Sequence, residues 1–240
     1  MQPKLLFASI ALVFCLHSQA QFSKGTRMIG ATIGSGYFTS GKTDFSNQGY
    51  TNYNHNWNVS FTPSIGWFIN DGNAVGANLF VSSTHQKSWN EVSGVTNRED
   101  NSHNTDFGLG LFYRHYFKAS SQLHPFVQAY VNGGSGVTKT DGFYYAPAYT
   151  QTYTGKTSDR FFYNAGLNLG LTKMLSNTVG AEAYVGYSHS YNKFTTKTVS
   201  TSVDRVGTGI TQANYLAEQT YSGNNINVGI GLQVFLPGKK

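Results

Sequence analysis

From Trp57 to Trp67 the odd positions read Trp57, Val59, Phe61, Pro63, Ile65 and Trp67, while the even ones read Asn58, Ser60, Thr62, Ser64 and Gly66. Alternation with a period of two places the two sets on opposite faces of a β-strand. Asn70, Asp71, Gly72 and Asn73 are turn-forming residues. After them the alternation resumes, with Val75, Ala77, Leu79 and Val81 against Gly76, Asn78, Phe80 and Ser82. The spacing predicts a hairpin whose apolar face must meet either a protein core or lipid. Pro63 lacks a ladder donor, so a bulge or local irregularity is expected there.

The same pattern recurs along the chain. It runs through Ile29–Tyr37, Thr105–Phe117, Pro125–Gly133, Phe161–Leu171, Val179–Ser188 and Asn225–Val234. Together these make about eight strands of roughly ten residues, the length that crosses a bilayer at a tilt. The connections alternate long and short. Polar stretches over 38–54, 85–104, 134–159 and 190–222 are expected as long loops, and the turns near Asp71, Ser120 and Ser176 are short. Short turns at one end and long loops at the other are the signature of a barrel in a bacterial outer membrane, with both termini on the short-turn side. No apolar-face position is charged, whereas the polar faces carry Asp106, Arg114 and Glu182. Lipid would impose that parity, because a Lys or Arg at the midplane costs about 2–4 kcal/mol. On pattern alone a soluble β-sandwich, with its apolar faces packed on each other, remains the alternative.

Composition bears on that choice. Charged residues are only 12% of the chain, against about 25% in ordinary soluble domains, while aromatics reach 15% and glycine 27 residues. No apolar run approaches the ~20 residues a membrane-spanning helix needs. Net charge is +6. The cations are dispersed (Lys42, Lys87, Arg98, Lys139, Lys156, Lys173, Lys193, Lys197, Arg205) and form no nucleic-acid-binding stripe.

Residues 1–20 read as a signal peptide, with Lys4 before the apolar run Leu5–Leu16 and Ser18-Gln19-Ala20 at the cleavage position. Residues 21–240 then form a single barrel domain. The sole cysteine, Cys15, falls inside the signal, so disulfide and thiol chemistry are not expected in the mature chain.

Aromatics near the strand ends suggest two interfacial girdles: Tyr37, Trp57, Phe161, Tyr163 and Tyr187 on the long-loop side, and Trp67, Phe68, Tyr113 and Phe117 on the other. Phe80, Phe112, Phe126, Tyr130, Phe162 and Tyr184 have inward parity and are expected to fill the lumen. Arg114 and Glu182 point inward about four residues from the short-turn ends of their strands, at similar depth, so an internal ion pair or network is expected, the alternative being separate water or loop partners for each. In the loop after the fifth strand, Phe143, Tyr144, Tyr145, Tyr149 and Tyr153 form an aromatic, almost uncharged cluster suited to binding a sugar or a protein, the alternative being a segment that folds against its neighbours or extends two strands beyond the membrane. Ser188, His189 and Ser190 are the only hydrolase-like grouping; it lacks an acidic orienter.

The run Phe61–Gly76 and the closing Gly229–Phe235 resemble the second hairpin and the final strand of small outer-membrane β-barrels of the OmpX/OmpA-like class. One departure is that Leu236–Lys240 follow the terminal aromatic Phe235. The resemblance implies an all-β, transmembrane, eight-stranded antiparallel up-and-down barrel in the outer membrane of a Gram-negative bacterium. It also implies outer-membrane lipid, periplasmic chaperones and the barrel-assembly machinery as partners. It carries no catalytic residues, metal or cofactor. The function expected is structural or surface-interacting, in adhesion or envelope integrity, with an extracellular protein or glycan as the partner of the loops. A permeation barrel for small solutes or hydrophobic compounds is the alternative, and a lipid A-modifying hydrolase stands behind both.

Overall fold

The computed structural model describes residues 22–35, 38–45, 49–117, 122–204, 206 and 209–238. The signal peptide expected over 1–20, the girdle residue Tyr37 and the turn at 118–121 lie outside them. The strands are β1 (Arg27–Ser35), β2 (Phe38–Phe45), β3 (Tyr50–Asn70), β4 (Asn73–Val92), β5 (Val95–Tyr116), β6 (Leu123–Tyr145), β7 (Tyr149–Met174), β8 (Val179–Asp204) and β9 (Ile210–Leu236). Every neighbouring pair is antiparallel, and β1 pairs with both β3 and β9, so the sheet closes. β1 and β2 both pair with β3, Gly34 facing Ser60 and Phe38 facing Trp57. They are two pieces at one position of an eight-position ring.

The apolar faces form a belt around the outside. Register carries it from Ile33 to Phe61 and Val81, across Leu79–Leu109, Leu111–Val131 and Ala129–Leu167, and through Leu169–Val185–Val228. Ile230 meets Ile33 and closes the circuit. Among the described residues these side chains have no core to cover them: Leu109 is 67% exposed and Ile230 66%. A continuous apolar ring of this extent on a folded chain is a lipid-facing surface. A sandwich is excluded, because the one sheet closes on itself with its apolar face outward.

Among the described residues, the four polar stretches expected as loops are mostly strand. β5 to β9 run to 22, 23, 26, 26 and 27 residues, about twice what a bilayer needs. The β8–β9 hairpin stays paired from Val179–Val234 up to Val203–Ile210. Beyond the lipid both faces meet water, so the period-two contrast vanishes from the sequence. Thr, Tyr and Val keep their preference for extended backbone, and the ladder satisfies the backbone groups. The β4–β5 turn is tight: Ser93 and Gly94, with φ of 51° and 76°, give that hairpin the two left-handed residues of a type I′ turn.

Pro63 produces no bulge. The β3–β4 ladder opens at Thr62 and Pro63, but register is unchanged from Phe61–Val81 to Ser64–Asn78, and Ala31 still pairs with Pro63 on the other side. The register shift in this hairpin falls between Phe68 and Asn70, beside Gly72 at φ 78°.

Inside the short-turn end, Met28, Phe68, Ala74, Phe112, Tyr116, Phe126, Met174 and Phe235 form one buried cluster, with Phe22, Tyr130 and Tyr184 packed against it. Glycines make the room. Gly229 faces Tyr184 directly across the β8–β9 ladder, and a Cβ there would overlap the phenol ring. Phe22 closes the end, its ring 4.4 Å from Tyr116, 4.5 Å from His124 and 5.1 Å from Phe235. Its segment is tied down where Gly25 N–H donates to Phe68 O at 2.9 Å and Gly72 N–H to Phe22 O at 2.7 Å.

Candidate functional site

Above that floor lies the internal charge layer. Arg114 of β5 donates from Nη1 to Glu182 Oε2 of β8 at 2.7 Å, and from Nε to Gln128 Oε1 of β6 at 2.7 Å. Its guanidinium stands 4.2 Å from the Phe126 ring centroid, and Gln233 Nε2 of β9 donates to Glu182 Oε1 at 3.0 Å. Four strands are thereby cross-linked through the lumen. The pair is nearly dry, with side-chain exposures of 5% and 0%, and its cost of desolvation is offset by hydrogen bonds on every side.

The upper lumen is not filled, contrary to the sequence expectation. Phe80 and Phe162 meet at 5.8 Å, but a cavity of about 780 Å³ extends from Arg114 up to Gln86, Ser102 and Gln219 in the long-strand end. Arg160 crosses it, donating to Asn192 Oδ1 at 3.1 Å, to Thr138 Oγ1 at 3.0 Å and to Asn104 Oδ1. Asp106 Oδ2 is 3.4 Å from Arg160 Nη2. Sequence reasoning missed Arg160 as a lumen residue. Arg160 continues the even, inward parity of Phe162 and Asn164, pairing with Gly136 in unbroken register, and the register shifts at Gly136/Lys139 and Ser158/Phe161 place one extra residue in β7 just beyond it, a bulge that reverses the faces above. Parity alone carried the signal: Arg160 lies two residues before inward Phe162, one position outside the strand that the apolar run began at Phe161.

The same bulge splits the expected aromatic cluster. Phe143 and Tyr145 share one face at 5.1 Å, while Tyr144 and Tyr149, 6.2 Å apart, share the other with Tyr153. Tyr153 donates to Asp100, and burial with that carboxylate pushes its phenol pKa up. Tyr144, Tyr145 and Tyr149 remain exposed. Nearby, Lys87 pairs with Glu99 at 3.0 Å, and its ammonium holds the Glu99 carboxyl below the usual range.

The Ser188-His189-Ser190 grouping does not assemble. Ser188 is 2% exposed, and Ser190 accepts from Asn225 Nδ2 at 2.9 Å, away from the histidine. His189 lies outside, with Ser222 Oγ 3.1 Å from its Nε2 and Asn224 Oδ1 3.0 Å from its Nδ1. Both partners come from β9, Ser222 at the end of the stretch expected as loop and Asn224 just before the strand expected from Asn225.

The upper sheet is open. β1 leaves β9 at Ser35–Val228, β2 pairs only with β3, and residues 210–227 of β9 pair only with β8. Among the described residues, two free backbone edges therefore face across a seam.

A closed antiparallel ring with an apolar outer belt and a polar inner face defines a membrane-spanning β-barrel. No family model matches the chain, and no curated protein matches it. Its structural neighbours are outer-membrane barrels. OprG from Pseudomonas aeruginosa is 12% identical, covering 91% of this chain and 98% of that one at a TM-score of 0.40. A major outer membrane protein from Thermus thermophilus is 11% identical, covering 88% and 99% at 0.42. Neisserial surface protein A is 12% identical, covering 88% and 99% at 0.35. Likenesses of this strength assign no role to the chain.

Proposed function

We propose that this protein resides in the outer membrane of a Gram-negative bacterium, with its termini at the periplasmic end and the long-strand end outside. There it serves as a surface-interaction or envelope-structural barrel. One observation carries the reading: the short-turn end is plugged by Phe22, the aromatic cluster and the Arg114–Glu182 layer, while the opposite end projects a paired crown with exposed Tyr144, Tyr145 and Tyr149. A plugged floor favours display over permeation. An extracellular protein or glycan is the partner class for the crown. The test removes Gly142–Thr154 and Asn192–Tyr221 separately and measures surface adhesion, envelope integrity and uptake. Loss of adhesion or integrity is expected. If neither changes, the surface-interaction reading fails; conductance of the intact barrel in a planar bilayer would favour permeation instead.

One geometry favours a second reading, hydrolysis of a lipid ester. Ser222, His189 and Asn224 line up as nucleophile, base and orienter just above Tyr187 and Ile226 of the apolar belt. Mass analysis of lipid A from cells carrying wild-type protein or Ser222→Ala tests it; identical lipid A would dismiss it.

A further inference from the structure

The lumen wall is built from asparagines laid against glycines. Asn78 and Asn132 flank Gly110 in register, on β4 and β6, and their Oδ1 atoms occupy the space that a Cβ on Gly110 would need. Asn168 does the same over Gly186 of β8. These oxygens are covered and receive no conventional donor; what they meet is the glycine Cα–H, a weak but oxygen-selective contact. Asn164 stands beside Asn132 in the β6–β7 ladder. All four residues line the cavity. With the oxygens of Asn78, Asn132 and Asn168 turned to the wall, the group each presents to the lumen is its amide NH2.

Beside these donors are the rings of Phe80 and Phe162 and the hydroxyls of Tyr130 and Tyr184. Charge is cancelled at both levels, Arg160 against Asp106 above and Arg114 against Glu182 below. A site with this lining offers an ion no net field. It does offer hydrogen bonds to many oxygens and apolar faces to C–H groups.

We propose that the cavity binds an uncharged, polyhydroxylated ligand, a short oligosaccharide, held by the amide groups of Asn78, Asn132, Asn164 and Asn168 against the Phe80–Phe162 rings. About 780 Å³ lies within the size range of pockets that enclose a small ligand. The floor is plugged, so the sugar enters and leaves by the same mouth. The inference rests on the lumen alone; it stands or falls in detergent, independently of membrane orientation and of any adhesive role for the crown.

The experiment titrates the purified barrel, in dimethylamine-oxide micelles that contain no sugar, with maltotriose, raffinose and the anionic sialyllactose. Calorimetry reads affinity, and NMR follows the asparagine side-chain amides in the wild-type protein. Saturable binding of a neutral trisaccharide is expected, with shifts of the lumen amides. Affinity should fall by at least about tenfold, equivalent to about 1.4 kcal/mol, in Asn132→Leu and in Asn164→Leu, and remain unchanged in Lys173→Ala, at a position exposed near the short-turn end and outside the cavity. A second arm presents maltotriose coupled to beads by its reducing end. Retention there supports the end of a surface glycan as the source, and binding of soluble sugar alone supports a free oligosaccharide. The proposal is overturned by absence of saturable binding to either neutral sugar, by preference for sialyllactose, or by binding that leaves the wild-type lumen amides unshifted. The wild-type NMR result decides the matter even if a leucine variant does not fold.

Discussion

Arg114 Nη1 lies 2.7 Å from Glu182 Oε2, joining β5 to β8 across the inside of the barrel, with both side chains almost fully buried. Removing one partner strands a charge in a nearly dry layer, at a cost of about 3–5 kcal/mol. Arg114→Ala should therefore lower the temperature at which the folded barrel loses its compact migration on a detergent gel. Arg114→Met combined with Glu182→Leu should recover most of that loss, because an apolar pair leaves no unpaired charge. Unchanged heat resistance in Arg114→Ala would show that the pair does not stabilise the barrel.

Gly229 and Tyr184 make a steric prediction of a different kind. A Cβ on Gly229 overlaps the Tyr184 ring, which packs against the buried cluster. Gly229→Ala should destabilise by about 1–3 kcal/mol, the usual scale for overpacking. Tyr184→Leu in the same chain should relieve it, giving a strongly non-additive double-mutant cycle in urea-driven unfolding from lipid vesicles. Additive effects would mean that the two side chains do not compete for one space.

The strands were legible where lipid bounds them and illegible where water does. Leu109, Leu111 and Phe107 alternate with Gly108, Gly110 and Phe112 because one face meets hydrocarbon, so the span of β5 could be read directly. Its upper half, Val95–Asn104, is also strand, with one register shift at Asn97, but it is polar on both faces and nothing in its composition separates it from loop. The Arg114–Glu182 proximity could be anticipated from inward parity at matching depth. Arg160 shares the inward parity of Phe162 but sits just outside the apolar run that marked the strand, and the Ser222–His189–Asn224 contacts depend on register across the β8–β9 hairpin, which alternation does not supply. The asparagine–glycine pairs were present in the sequence only as small polar alternations; cross-strand register is what shows which glycine each asparagine covers.

In the crown, the Lys87 ammonium donates to Glu99 and lowers its carboxyl pKa below the unfolded value. The sign follows from linkage: the contribution is fully present above the ordinary glutamate pKa and is lost as pH falls through the lowered, folded one. Crown order, read as protection of β4–β5 amides or resistance to a surface protease active in acid, should decline only below the normal glutamate range. Glu99→Gln should abolish that acid-dependent step. A step retained in the variant would assign it to another carboxylate.

The free edge of β9 predicts a gradient in hydrogen exchange. From Val228 to Val234 the strand is paired on both sides, whereas from Ile210 to Asn227 it has β8 alone among the described residues. Alternate amides in the upper part should exchange rapidly while those below remain protected. Uniform protection throughout β9 would show that something else covers the seam.

A membrane-spanning barrel requires that the odd-numbered face of β5 meet lipid and the even-numbered face the lumen. The only cysteine in the chain is Cys15, so single cysteines introduced one at a time from Asp106 to Tyr113 carry a spin label without competition once that segment is removed. In barrels reconstituted into vesicles, relaxation by membrane-dissolved oxygen should peak at Phe107, Leu109, Leu111 and Tyr113 and fall at the intervening positions. An inverted phase, or no period of two, would contradict a lipid-facing belt.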